Sequence, residues 1–174
     1  MHIHFVNVGY GEAILVTKRS FVMLIDGGTA REQEYRNPGC IRIDEYLRKI
    51  GISKVDVIII THIHDDHIGG ILNVLKNFPV SEVWVNVKPV GSPNGIVKKL
   101  ENIVDGNPSG ILFWNALKIY GELIQECENR GIPILEKGSI DGKIKLQDDF
   151  FVHLLSPNVG VQNETRKNFD CLFV

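Results

Sequence analysis

The chain is short of most features that would mark a specialised class of protein. It has no basic excess: 19 Lys and Arg against 21 Asp and Glu leave a formal net charge of −2. Non-specific nucleic-acid binding normally shows as such an excess, so the charge balance gives no reason to expect it. Cysteine is scarce as well. Cys40, Cys127 and Cys171 are odd in number and widely spaced, with no C-x-x-C pair. That pattern suits reduced thiols better than a disulfide framework. No apolar run reaches the roughly 18 residues that a membrane span needs. His2, His4 and Asn7 interrupt the opening segment, which therefore does not read as a secretion signal. Together these absences predict a cytoplasmic protein with no membrane segment. Internal repeats and low-complexity stretches are lacking too.

What is present is the make-up of an ordinary globular domain. A chain of 174 residues, 44% hydrophobic and 23% charged, is long enough for one domain with a buried core. Residues 2–8, HIHFVNV, alternate polar and apolar as a half-buried strand does, and the turn GYGE leads into a returning strand, AILVT. FVMLID is a third, apolar strand that ends in Asp26 and the Gly27-Gly28 pair. The first 28 residues thus predict a three-stranded meander. Ile41, Ile43, Tyr46, Leu47 and Ile50 fall near helical spacing, with Gly51 as the cap. KVDVIIIT is a continuous apolar run, the mark of a strand covered on both faces. A short helix, IGGILNVLKNF, and another strand, SEVWVNV, follow it. That order predicts an α/β fold with helices packed over a sheet.

Residues 89–110 read as a loop-rich insertion, in which the turns GSPNG and GNPSG flank a short helix, IVKKLENIV. A long amphipathic helix, ILFWNALKIYGELIQECENRG, comes next, then three strands: IPILEKG, GKIKLQD and FFVHLLSP. Residues 1–174 read as a single domain.

The chemistry is concentrated behind the buried strand, in THIHDDHIGG, residues 61–70. Three histidines and two aspartates in six positions are hard to explain by packing, because buried charge is costly unless it is paired or metal-bound. Side chains two apart in an extended stretch point to the same side, so His62 and His64 can hold one ion together. The chain then turns toward the helix, which lets Asp66 and His67 face a neighbouring position. Imidazole and carboxylate ligands suit zinc, and equally admit manganese or iron(II). Asp65 reads as a solvated or structural loop residue. His153, in the alternating strand FFVHLL, reads as a solvent-facing strand residue.

H-x-H-x-D-H after a buried strand resembles the metal motif of the metallo-β-lactamase superfamily. LIDGG resembles that superfamily's first motif. HFVNVGYGEAILV resembles the opening of one subgroup, the hydrolase domains of the DNA-uptake competence channel (ComEC type) and their soluble relatives. That subgroup's turn usually reads G-Q-G-D, where this chain has Gly9-Tyr10-Gly11-Glu12. The closing stretch, HLLSPNVGVQNETRKNFDCLFV, resembles its L-S-P segment and asparagine-rich strand. The resemblance implies an αββα sandwich holding one or two ions, zinc first. It assigns His62 and His64 to a first ion and Asp66 and His67 to a second, with Asp66 also orienting the attacking water. It gives Asp26 a supporting role, hydrogen-bonded to a ligand histidine or to loop backbone.

The later T-G-D and H-H-G-S segments of the family are not found, and Asp170 only approximates the bridging position. The sequence therefore predicts an incomplete C-terminal half, and with it an exposed apolar sheet face. Such a chain would form a homodimer through that face or bind metal weakly.

Three functions follow. The first is a metal-dependent hydrolase acting on a small-molecule or nucleotide-like ester, phosphodiesters ahead of lactams, with lactonase, thioesterase or glyoxalase-like chemistry open. The second is a non-catalytic metal-binding or assembly half-domain. The third is redox diiron chemistry, disfavoured because such relatives usually carry glutamate where this chain has His64.

Overall fold

The computed structural model describes residues 1–86, 108–137, 142–147 and 149–154. Strands β1 (His2–Phe5), β2 (Ile14–Lys18) and β3 (Phe21–Ile25) form the expected antiparallel meander, with Ile3 opposite Val16 and Leu15 opposite Leu24. From β3 onward the sheet is parallel, through β4 (Val55–Ile60), β5 (Val80–Val85) and β6 (Ile134–Glu136). The strand order is β1-β2-β3-β4-β5-β6. Parallel neighbours need a crossover, and each crossover here is helical. Helix α1 (Ile43–Lys49) links β3 to β4, α2 (Asp65–Ile68) and α3 (Ile71–Asn77) link β4 to β5, and α4 (Pro108–Arg130) precedes β6.

The period-two alternation of strand side chains divides the core in two. On one face Leu15, Leu24, Ile58, Ile60, Val83 and Val85 pack against Ile43, Leu47, Ile71, Leu75, Leu123 and Cys127 of the helices. On the other, Val16, Met23, Ile25, Val57, Ile59 and Trp84 meet Phe150, Val152 and Leu154. Those last three belong to a separate antiparallel hairpin, β7 (Gly142–Gln147) and β8 (Phe150–Leu154). Burial on both sides explains the unbroken apolar run of β4.

Three features differ from the sequence expectation. The first strand stops at Phe5, three residues early, because the chain bends toward the turn at Gly9 after one further bond, Val6 N–H to the Ala13 carbonyl. The helix after the histidines starts at Asp65 instead of Ile68 and is split in two at Gly69-Gly70. The split follows from close packing: a Cβ on Gly70 would lie 2.0 Å from the Gly27 carbonyl oxygen. Finally, the apolar face expected to lie open is covered over most of its width by the hairpin, leaving Val57 at 3% and Trp84 at 2% exposure. Ile3 and Phe5, on the edge strand β1, remain exposed. The helix expected within 89–110, together with Asp170 and Cys171, lies outside the described residues.

Cys40 and Cys127 are both free thiols. Cys127 sits on the buried face of α4, and burial pushes its thiol up to about 12. A thiol held in that form reacts poorly. Alkylation of the native protein at pH 8 should therefore label Cys40 and spare Cys127, which should react fully in guanidinium. Peptide mapping that finds Cys127 labelled in the native state would contradict the packing of α4.

Candidate metal centre

Parallel strands β3 and β4 end side by side, with Ile25 opposite Ile59, so the residues that follow them share one rim of the sheet. Ligand sites in open α/β sheets gather at this carboxyl end. The residue after β3 is Asp26, and the residue after β4 is Thr61. Asp26 has φ +55°, a left-handed conformation that costs of order 1–3 kcal/mol for a non-glycine residue and persists only where its surroundings enforce it. The enforcement is visible in its hydrogen bonds. Its N–H donates to the Ile59 carbonyl at 2.9 Å, and its carboxylate accepts from Thr61 N–H at 2.9 Å and from the Thr61 hydroxyl at 2.6 Å. His67 Nδ1 lies 2.8 Å from the same Oδ2. At 1% exposure the carboxylate needs all of these partners, since an unpaired buried charge would be far too costly.

These bonds fix the histidine tautomers by elimination. A carboxylate can only accept, so His67 Nδ1 carries a proton, and in the neutral ring Nε2 keeps its lone pair. The Thr61 hydroxyl has one proton, given to Asp26, so at its 3.0 Å contact with His62 Nδ1 it must accept. His62 therefore also presents a bare Nε2. Such anchoring of the other ring nitrogen is how metal-binding histidines are held.

The three imidazoles lie close together, tilted or edge-on to one another. The His62 ring lies 3.9 Å from that of His67 and 4.6 Å from that of His64, centroid to centroid. Burial first, then the neighbouring His67 and His64, lower the His62 pKa, which keeps the ring neutral and able to bind an ion. At His67 burial also acts downward, but the Asp26 hydrogen bond and charge, helped by Asp66 and Glu12, raise the net value. Asp66 Oδ2 stands 3.7 Å from His67 Nε2. Two ligands bound roughly 2.1 Å from one tetrahedral ion sit about 3.4 Å apart, so this spacing fits a shared cation.

Asp65 is turned away from this cluster. Arg31 grips its Oδ2 through Nε at 3.0 Å and Nη2 at 2.8 Å, and the guanidinium lies 5.3 Å from the centre of the Tyr10 ring. His153 is exposed on β8, as its strand alternation indicates. Asp170 lies outside the described residues. One residue was read in the sequence only as part of a turn: the ligand atoms of Glu12, Asp26 and His67 all fall within 4.8 Å of one another. The acidic residue in a glycine turn was the available signal. Of this trio Asp26 is already engaged by three hydrogen bonds, so its closeness to His67 reflects that bonding. Among the described residues no helix is long and apolar enough to cross a membrane.

Residues 6–127 match the family model described as the metallo-beta-lactamase superfamily. No curated protein matches the sequence. Among solved structures, similarity extends to the metallo-β-lactamase SMB-1 in complex with mercaptoacetic acid, at 27% identity and TM-score 0.38, over 47% of this chain and 30% of that one. A subclass B3 metallo-β-lactamase from a soil metagenome library is similar at 24% identity and TM-score 0.39, over 62% of this chain and 34% of its own. An archaeal metallo-β-lactamase superfamily protein from Sulfolobus tokodaii is similar at 19% identity and TM-score 0.48, over 88% of this chain and 54% of its own. The chain thus spans about half, or less, of the length of these structures. The family model covers well over half of the sequence, and the chain belongs to the metallo-β-lactamase superfamily.

Proposed function

We propose that the chain is a metal-dependent hydrolase whose ion site is formed by His62, His64, Asp66 and His67. The observation that carries this reading is the relay from the buried Asp26 carboxylate. Directly to His67, and through Thr61 to His62, it orients two imidazoles with Nε2 lone pairs bare, and Asp66 stands 3.7 Å from one of them. The donor set suits zinc, in one or two copies, and is also compatible with manganese or iron(II). Bound there, the ion supplies a water acidified toward neutral pH and polarises a substrate oxygen.

The protein's own groups do the rest. Asp66 acts as a ligand and accepts a hydrogen bond from the attacking water, turning it toward the substrate. Asp26 holds the His67 ring in one orientation. The Arg31–Asp65 ion pair anchors the first turn of α2, so that Asp66 and His67 keep their directions. Phosphodiester or nucleotide-like esters are the substrate class proposed. Support for it comes from the competence-channel resemblance of HFVNVGYGEAILV and of the L-S-P segment, a family analogy. A reducing, cytoplasmic setting goes with the proposal, supported by the free thiols of Cys40 and Cys127.

Turnover of bis-p-nitrophenyl phosphate, against a chromogenic lactam and a lactone, after loading with zinc or manganese, tests the reaction class. The phosphodiester should be the preferred substrate, and Asp66→Ala should lose roughly 100-fold or more in rate while its circular dichroism is unchanged. A loaded protein inactive on every substrate would favour the assembly half-domain instead.

The relay has its own test. Thr61→Val leaves the His62 Nδ1–H unpaired and should weaken zinc binding roughly 10- to 100-fold, whereas Thr61→Ser should preserve it. Equal affinity in a competitive chelator titration of Thr61→Val and the unaltered protein would rule out the tautomer assignment.

A further inference from the structure

We propose that Glu12 supplies an additional carboxylate ligand to the ion held by His67. This inference rests on the metal-site reading above and adds a residue from a distant segment of the chain. Of the two carboxylates gathered with His67 inside 4.8 Å, Asp26 is buried and already accepts three hydrogen bonds. Glu12 is exposed, and its carboxylate has no hydrogen-bond partner among the described residues. Its oxygens are therefore the ones available to an ion.

The backbone around Glu12 is tied to the loop that carries the other ligands. The Glu12 carbonyl accepts the Gly28 N–H at 2.8 Å, the Gly28 carbonyl accepts the Gly70 N–H at 3.0 Å, and the Gly27 N–H donates to the His67 carbonyl at 2.7 Å. Gly11, with φ +101°, lies so close to Asp66 that a Cβ there would come within 1.8 Å of the Asp66 carbonyl oxygen. The β1–β2 turn is thus packed directly against the Asp66 peptide and joined to that of His67 through the Gly27-Gly28 pair. A solvated glutamate on a free turn would need none of this.

Charge points the same way. Asp26, Asp66 and Glu12 place three carboxylates around one imidazole. A divalent cation would balance that excess of negative charge. The donor chemistry is also suitable, because carboxylate oxygen is an ordinary ligand for zinc and manganese.

The test is cobalt(II) and zinc loading of the full chain, Glu12→Gln, Glu12→Asp and Asp66→Ala, read by bound-metal analysis, chelator competition and the cobalt ligand-field spectrum. Glu12→Gln should bind one ion roughly tenfold or more weakly, with shifted ligand-field bands. Glu12→Asp, which keeps the charge, should recover part of both. A Glu12→Gln protein with unchanged stoichiometry, affinity and spectrum, beside an Asp66→Ala protein that has lost metal, would overturn the Glu12 assignment alone. An unaltered protein that takes up neither cobalt nor zinc would overturn this inference and the metal-site reading together.

Discussion

The buried carboxylate of Asp26 is the constraint on which the arrangement of the site depends. It stands at the meeting point of three segments: the end of β3, the end of β4 and the first turn after the histidine loop. Three of its bonds hold the end of β4, and the fourth holds His67. The bond from its N–H to the Ile59 carbonyl continues the β3–β4 pairing beyond the last ladder position, its carboxylate ties down Thr61, and the bond to His67 draws α2 down onto the rim. The left-handed backbone at Asp26 is what aims the carboxylate into this junction, where an ordinary extended residue would continue along the strand. The cost of that conformation is small beside the cost of leaving the buried charge without partners.

Around that carboxylate the backbones approach unusually closely, and glycine is what permits it. Gly27 meets Gly70, and Gly11 meets Asp66, at distances where any side-chain carbon would collide. The result is a collar in which the β1–β2 turn, the segment after β3 and the start of α3 are bonded to each other through main-chain groups. Main-chain bonds are independent of side-chain rotamers, so the collar holds the histidine loop without occupying the space in front of the imidazoles. The larger apolar clusters on the two faces of the sheet support it from below.

The sequence made the centre legible because its signals are local. The apolar run before Thr61 identified β4, the spacing of His62, His64, Asp66 and His67 identified the cluster, and Asp26 at the end of FVMLID marked the neighbouring strand end. What escaped was long-range. Nothing within HDDHIGG says that the helix begins at Asp65 and breaks at Gly69-Gly70, since the break is set by contact with Gly27, more than forty residues earlier. The docking of β8 on the second face brings Phe150, Val152 and Leu154 onto strands β2 to β5, more than sixty residues earlier in the chain. Arg31 reaches Asp65 across a separation of 34 positions, with no periodic pattern to announce it. Thr61 reads in the sequence as the last residue of a strand, and its place as a hydrogen-bond bridge between Asp26 and His62 emerges only from the geometry.

The same distinction bears on how this site divides its labour. Of the residues that hold the imidazoles, Asp26 is enclosed and Thr61 half-buried, and their bonds are short and mutually consistent. Glu12 and the Tyr10 ring are exposed to solvent, with Asp66 half-buried beside them. Orientation is thus determined inside the fold, while charge is presented at its surface. A substitution on the inner side acts on two imidazoles at once, because one carboxylate serves both His62 and His67. A substitution on the outer side alters the charge and shape of the exposed surface and leaves the bonds of Asp26 to His67 and Thr61 in place. The buried half of the site is consequently the part that a strand-end aspartate and a following threonine can specify, and the exposed half is the part that loops remain free to vary.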